Sequence, residues 1–360
     1  MHKLAFLFIA ALLIAALPAA AEDELEPWVC PEGFEGQTLS VYNWSTYIAE
    51  DTVANFEAAC GVTVIYDVYE SNEALLARIR QGNPGYDVAV PTDYVVSIMI
   101  DEGLVQPLDF SLIPNIVHLD EDFLDTPFDP GNEHSLPYLW GTIGIGYNIT
   151  RVGAEITTWE EMFTYDGPVA WLEDLRGMIG IALNQLGLDP NTSDPDEIAQ
   201  ARDFLIANGS NVVVIAADDG QALLERGEVH MAVEYSGDIF QLIDDCECDD
   251  FVYVIPEEGA IVWVDNLVIL TGARNPTLAH IFLDYLMHPQ VAADIANYTA
   301  YGSPNQTAIE LGLIDPDLLA DPGIYPSPEV EERLFYIVDV PEAEVFYNNA
   351  WDEIKVLLGQ

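Results

Sequence analysis

Short apolar runs alternate along this chain with stretches whose apolar positions recur at helical spacing, which predicts an α/β fold built largely on parallel strands. The runs at residues 39–44, 62–68, 86–90, 144–147, 211–215, 229–234, 251–255 and 266–270 read as strands. Between them, residues 50–60 form a helical pattern that closes on Gly61, a residue suited to the left-handed end of a helix. Residues 195–207 open with Asp194 as cap and Pro195 in the first turn, and Asn275-Pro276 opens a run to 287 in the same way. No internal repeat or low-complexity linker interrupts the pattern. Two lobes, if present, are therefore joined through ordered strands rather than a flexible tether.

The first 21 residues fit an export signal: His2 and Lys3 are basic, residues 4–17 are apolar, and Ala19-Ala20-Ala21 is an A-x-A cleavage site. No cysteine stands at that site, so a freely diffusing periplasmic protein is expected rather than a lipid-anchored one. What remains is long enough for two domains, each with its own core. Composition adds an unusual charge balance. Ten Lys plus Arg stand against 62 Asp plus Glu, a net charge of −52, and such a chain repels nucleic acid and anionic lipid. Because the acids are spread along the whole sequence, adaptation to high salt is favoured over a field that gathers cations. One consequence is that a single acid at a candidate site carries little weight.

Four cysteines accompany the export signal into an oxidising compartment. If the strands at 39–44 and 62–68 are parallel neighbours, Cys30 and Cys60 both lie at the amino-terminal edge of the sheet, and a disulfide between them is expected. Cys246-Glu247-Cys248 is compatible with a strained disulfide, a free pair or a metal clip; with no second Cys or His pair nearby, a structural role is favoured. Signs of an enzyme are missing. There is no Gly-x-Ser-x-Gly, His-Glu-x-x-His or Walker sequence, and Gly144-Ile145-Gly146 lacks the third dinucleotide glycine. The six histidines are scattered, so neither a metal nor another cofactor is expected.

The apolar run Val41-Tyr42-Asn43 ends in Trp44-Ser45-Thr46-Tyr47, two aromatics and two hydroxyls just before a helical pattern. At the carboxyl end of a strand in an open α/β sheet, such residues face the crevice where ligands bind. This segment resembles the first strand and loop of the bacterial polyamine-binding proteins, the putrescine and spermidine receptors of ABC importers. The resemblance implies a two-lobed, type II periplasmic binding-protein fold with the ligand cleft between the lobes. It further implies a polyamine ligand, no catalysis, a membrane ABC permease as partner, and a monomer in the periplasm. Residues 141–149 and about 260–265 become crossing segments; one lobe takes 36–142 with 265–334 and the other takes 143–264 with 335–360.

A linear diamine buries two ammonium groups joined by an apolar chain, which demands carboxylates for the charges and aromatic walls for the methylenes. The resemblance assigns these parts. Gly259-Ala260-Ile261-Val262-Trp263-Val264-Asp265, after Pro256-Glu257-Glu258, is similar to the family's Pro-x-Glu-Gly turn and aromatic-x-Asp; Trp263 packs on the chain and Asp265 pairs with an ammonium. In Glu234-Tyr235-Ser236-Gly237-Asp238, Tyr235 stands where the family usually has Trp, and Asp238 takes the distal ammonium. In Pro91-Thr92-Asp93-Tyr94, Thr92 supplies a hydrogen bond and Tyr94 stacks, while Asp93 reads as a solvated helix-start acid. Tyr301 matches a tyrosine near the pocket. Two departures stand out. Thr46 occupies a position where the family usually has an acid, and a ligand-contacting Glu of relatives aligns with Gly177, leaving two readings of Asp174 and Glu173: a substitute for that ligand acid, or instead a structural ion pair with Arg176. With Asp238 and Asp265 as the matched acids, putrescine fits slightly better than spermidine. The alternative is a protein of the same fold for another organic cation, an amino acid or a metal ion, or a sensor with no transport role.

Overall fold

A computed structural model describes residues 25–217, 219–246 and 248–360, so the export signal read in residues 1–21 lies outside the described residues. The described strands are β1 (Thr38–Trp44), β2 (Thr63–Tyr69), β3 (Val88–Ala89), β4 (Ser135–Asn148), β5 (Val169–Leu172), β6 (Val212–Ala216), β7 (Met231–Tyr235), β8 (Phe251–Val254) and β9 (Ile261–Ile269). They form one sheet in the order β2-β1-β3-β9-β4-β7-β5-β6, with β8 also paired to β4. At one end β1 runs parallel to β2 and β3, and at the other β5 runs parallel to β6 and β7. Between these blocks β4 and β9 pair antiparallel, from Ser135 opposite Val268 to Ile143 opposite Ile261. Beyond Ile143, β4 leaves β9 and pairs with β7 and β8. The chain thus crosses between the two blocks through paired strands.

These crossings are longer than the apolar runs suggest. The predicted 144–147 and 266–270 are the far ends of β4 and β9, which are buried almost throughout and show no alternation of polar and apolar residues. Pro137 and the glycines at 141, 144 and 146 break the apolar pattern of β4. Gly144 is required by packing, since a Cβ there would lie 2.4 Å from the Val254 carbonyl oxygen. The run at 86–90 shrinks to two paired residues, and β5, only four residues long, escapes the sequence pattern altogether. Helices Thr52–Cys60, Pro195–Asn208 and Pro276–Met287 stand where their caps predict them. Gly61 closes the first with φ 65°.

Near its end the chain returns to the crossing: the Val262 amide donates to the Phe335 carbonyl oxygen (3.0 Å), and the Phe335 amide donates to that of Ala260 (3.0 Å). The final helix, Glu344–Leu358, then packs on Leu175–Gln185 and Pro195–Asn208, burying Tyr347, Trp351 and Ile354. No helix among the described residues is long and apolar enough to cross a membrane.

β1 and β2 are parallel neighbours, and Cys30 is bonded to Cys60 across a Cα separation of 5.3 Å. Cys246 is bonded to Cys248. The first bridge closes a loop of sequence separation 30. Replacing Cys30 and Cys60 together by serine is expected to lower unfolding stability by about 3–4 kcal/mol, through the chain entropy regained by the unfolded state. Denaturant titration in high salt measures it, and an unchanged midpoint would refute the structural role.

Candidate functional site

The end of β1 is fixed before the site begins. Trp44 donates its indole Nε1–H to the Val90 carbonyl oxygen (2.9 Å), which also accepts the Tyr69 hydroxyl (2.6 Å), so the ring is locked against the neighbouring strand. Tyr47 is buried, and its carbonyl oxygen accepts the Tyr138 hydroxyl (2.8 Å). On β9 the two-residue period of a strand puts Trp263 and Asp265 on one face, and an antiparallel bridge sets Thr92 opposite Asp265. β7 delivers Tyr235, and the helix Ser236–Cys246 that follows without a loop presents Asp238 in its first turn. Glycines make the close approaches possible. A Cβ on Gly237 would lie 2.5 Å from the Tyr301 ring, and one on Gly141 would lie 2.8 Å from Trp263.

These elements bring Trp44, Ser45, Tyr47, Thr92, Tyr235, Asp238, Trp263, Asp265 and Tyr301 around a narrow cavity of ≈ 30 Å³. Its aromatic walls are in mutual contact: Trp263–Tyr301 and Tyr47–Tyr301 centroids are both 5.2 Å apart, and Tyr235–Trp263 centroids 5.8 Å. Whatever occupies so thin a slot touches rings along its length.

Among the described residues, two carboxylates and no Lys or Arg line the cavity. Burial raises Asp238 to about 6, against hydroxyl donation from Tyr301 (2.8 Å) and Thr46 (3.4 Å), which favours its charged form. Asp265 is pushed up to about 8 by burial; the hydroxyls of Thr92 and Tyr47 work against this rise, and the nearby charge of Asp93 adds to it. Two buried acids without a cation, set among electron-rich rings, are arranged to receive positive charge.

Comparison with known proteins decides the family. Residues 51–325 match the family model of the bacterial extracellular solute-binding proteins. The chain belongs to that family. A putrescine-binding periplasmic protein of Pseudomonas aeruginosa is 36% identical over 341 residues, covering 89% of this chain and 92% of the relative. The spermidine/putrescine-binding periplasmic protein of Escherichia coli is 33% identical over 325 residues, with the same coverage of each chain. Among solved structures, the spermidine/putrescine ABC transporter substrate-binding protein of Streptococcus pneumoniae superposes with a TM-score of 0.76 at 32% identity, covering 90% of this chain and 100% of that one. The fold of this solute-binding protein is accordingly the two-lobed type II arrangement, with its cleft between the lobes.

Four expectations for the solute-binding site need correction. Tyr94 does not reach the cavity; it lines two larger ones, of ≈ 530 Å³ and ≈ 650 Å³, outside it. The family pattern puts an aromatic two residues after this hydroxyl, but here the helix Asp93–Asp101 begins at once and turns Tyr94 away. Asp174 is likewise absent from the lining. It caps the helix Leu175–Gln185, its Oδ1 accepting the Gly177 amide (2.8 Å), and a side chain at Gly177 would collide with it. Arg176 makes no ion pair with it; the guanidinium sits 4.2 Å from the centre of the Tyr347 ring and donates to the Val338 carbonyl oxygen and to Asn191.

Asp93, read as a solvated acid, is buried. Its Oδ1 accepts the Tyr94 amide (2.6 Å) and its Oδ2 that of Val264 (3.1 Å), and burial pushes it up to about 7 despite these bonds. It thereby ties the residue before Asp265 to the residue after Thr92. Thr46 stands just outside the lining and acts through its bond to Asp238. Sequence reasoning also passed over the packing roles of Gly141 and Gly237, and over Asn72, whose Nδ2 donates to the Thr92 hydroxyl (3.0 Å). Only the glycines left a trace in the sequence, as interruptions of apolar runs.

Proposed function

We propose that this solute-binding protein captures a polyamine in the periplasm, putrescine somewhat ahead of spermidine, and delivers it as a monomer to the permease of an ABC importer. The observation that carries the reading is the pair of buried carboxylates, Asp238 and Asp265, in an aromatic slot that no Lys or Arg among the described residues lines. Tyr47 touches Asp265 and Tyr301 bonds Asp238, and these two rings pack on each other, so a methylene chain running along them carries one ammonium to each acid. Relatives named for putrescine and spermidine support the same ligand class. The lobes in this reading are 36–142 with 265–334 and 143–264 with 335–360, a division supported by β4 changing partners at Ile143 and by Phe335 returning to β9. Lobe closure supplies the desolvation that makes the carboxylates discriminating. The chemistry needs no cofactor.

Titration calorimetry in molar salt with putrescine, spermidine, cadaverine and agmatine tests the proposal. Saturable heat with putrescine, and weaker binding of spermidine, is the expected result. Absence of heat and of thermal stabilisation with all four amines would reject it.

A further inference from the structure

The two acids of the slot are not equivalent. Asp238 already has its oxygens engaged by neutral donors, the Tyr301 hydroxyl at Oδ2 (2.8 Å) and the Thr46 hydroxyl at Oδ1 (3.4 Å). At Asp265 the Thr92 and Tyr47 hydroxyls also approach the carboxylate, yet its Oδ1 is buried and accepts no hydrogen bond among the described residues. Thr46 is held to its task at a cost: its φ of 44° lies in the left-handed region, where a β-branched residue is an outlier. Strain kept at a ligand cavity points to use. Here it aims a hydroxyl at Asp238.

From this asymmetry we infer that the slot requires a cation only at Asp265, and that it accepts primary amines whose far end is neutral, ω-hydroxyalkylamines and short alkylamines among them. This rests on the amine-binding reading above and narrows it. An ammonium missing from the Asp265 side leaves a buried acceptor with nothing to bond. One missing from the Asp238 side leaves a carboxyl still held by Thr46 and Tyr301, and a ligand hydroxyl takes the vacated place. A slot with two bare acids would reject such ligands. In this one, both oxygens of Asp238 are already engaged by hydroxyls, while Oδ1 of Asp265 is not.

The test is a calorimetric ladder on the full mature protein in molar salt: putrescine, 4-amino-1-butanol and n-butylamine. The amino alcohol is expected to bind within about tenfold of putrescine, the worth of exchanging a charged for a neutral hydrogen bond. Asp238→Asn is expected to weaken putrescine by about tenfold or less, whereas Asp265→Asn weakens putrescine and the amino alcohol by about a hundredfold or more. Thermal melts of both variants report their folding, and the wild-type ladder decides without them. If putrescine binds but the amino alcohol binds about a thousandfold more weakly, or if the Asp238 variant loses as much as the Asp265 variant, the asymmetry is overturned while amine binding stands. If no amine binds the wild type, both fail together.

Discussion

Replacing Asp265 by alanine is expected to abolish amine capture while leaving the fold at least as stable as before. The two effects have one origin. Asp265 sits on a crossing strand with 4% of its surface exposed, no cation beside it, and an oxygen that accepts no hydrogen bond among the described residues. Burial has pushed its pKa up to about 8, so the unliganded fold carries it at a penalty. Alanine removes that penalty and creates only a small gap against Thr92 and Tyr47. An ammonium that enters the slot then meets no counter-charge, and breaking a buried pair on one side costs about 3–5 kcal/mol, some hundreds- to thousands-fold in affinity. Paired measurements of binding by calorimetry and of stability by denaturant separate this from misfolding. Affinity within about tenfold of wild type would show that the ammonium finds its charge elsewhere.

Why Asp265 lines the slot, and Asp174 and Tyr94 do not, follows from the kind of structure each belongs to. A strand displays alternate residues on one face, so Trp263 and Asp265 share a wall wherever that strand goes. The turn into a helix carries no such guarantee. After Thr92 the backbone enters a helix at once, and after Asp174 the side chain has a closer partner in its own helix than anything across the cleft. The parallel blocks of the sheet were legible for a similar reason: β1, β2 and β7 are apolar runs bounded by turns or helix caps. The crossings were legible only at their ends, because β4 and β9 are buried on both faces and β4 is broken up by glycine and proline. Burial of Asp93 could not be read at all. Nothing in Thr92-Asp93-Tyr94 says that the amide of Val264, far along the chain, will come to meet the carboxylate.

The stability of the unliganded protein is expected to fall as pH rises from about 4 to about 8, while amine affinity rises over the same window. Asp265, Asp93 and Asp238 have folded-state values of about 8, 7 and 6, against an ordinary value of 3.8. Between the two values the unfolded chain has lost the proton and the folded chain still holds it. Folding then binds protons, so each of these acids contributes stability that is full below pH 3.8 and is lost as pH climbs through its folded value. Capture of an ammonium works against this trend, because the acid that pairs with it must give up its proton; near neutral pH binding therefore releases protons, and the measured heat scales with the ionisation enthalpy of the buffer. The net charge of −52 would also lower stability as carboxylates ionise, but molar salt screens exposed charges within a few ångströms and leaves the buried ones. Melting temperatures across pH in molar salt thus report the buried acids specifically. A flat profile there, with buffer-independent binding heats, would mean that Asp265 is already ionised inside the fold, and its pairing partner would then have to be sought within the protein rather than in the ligand.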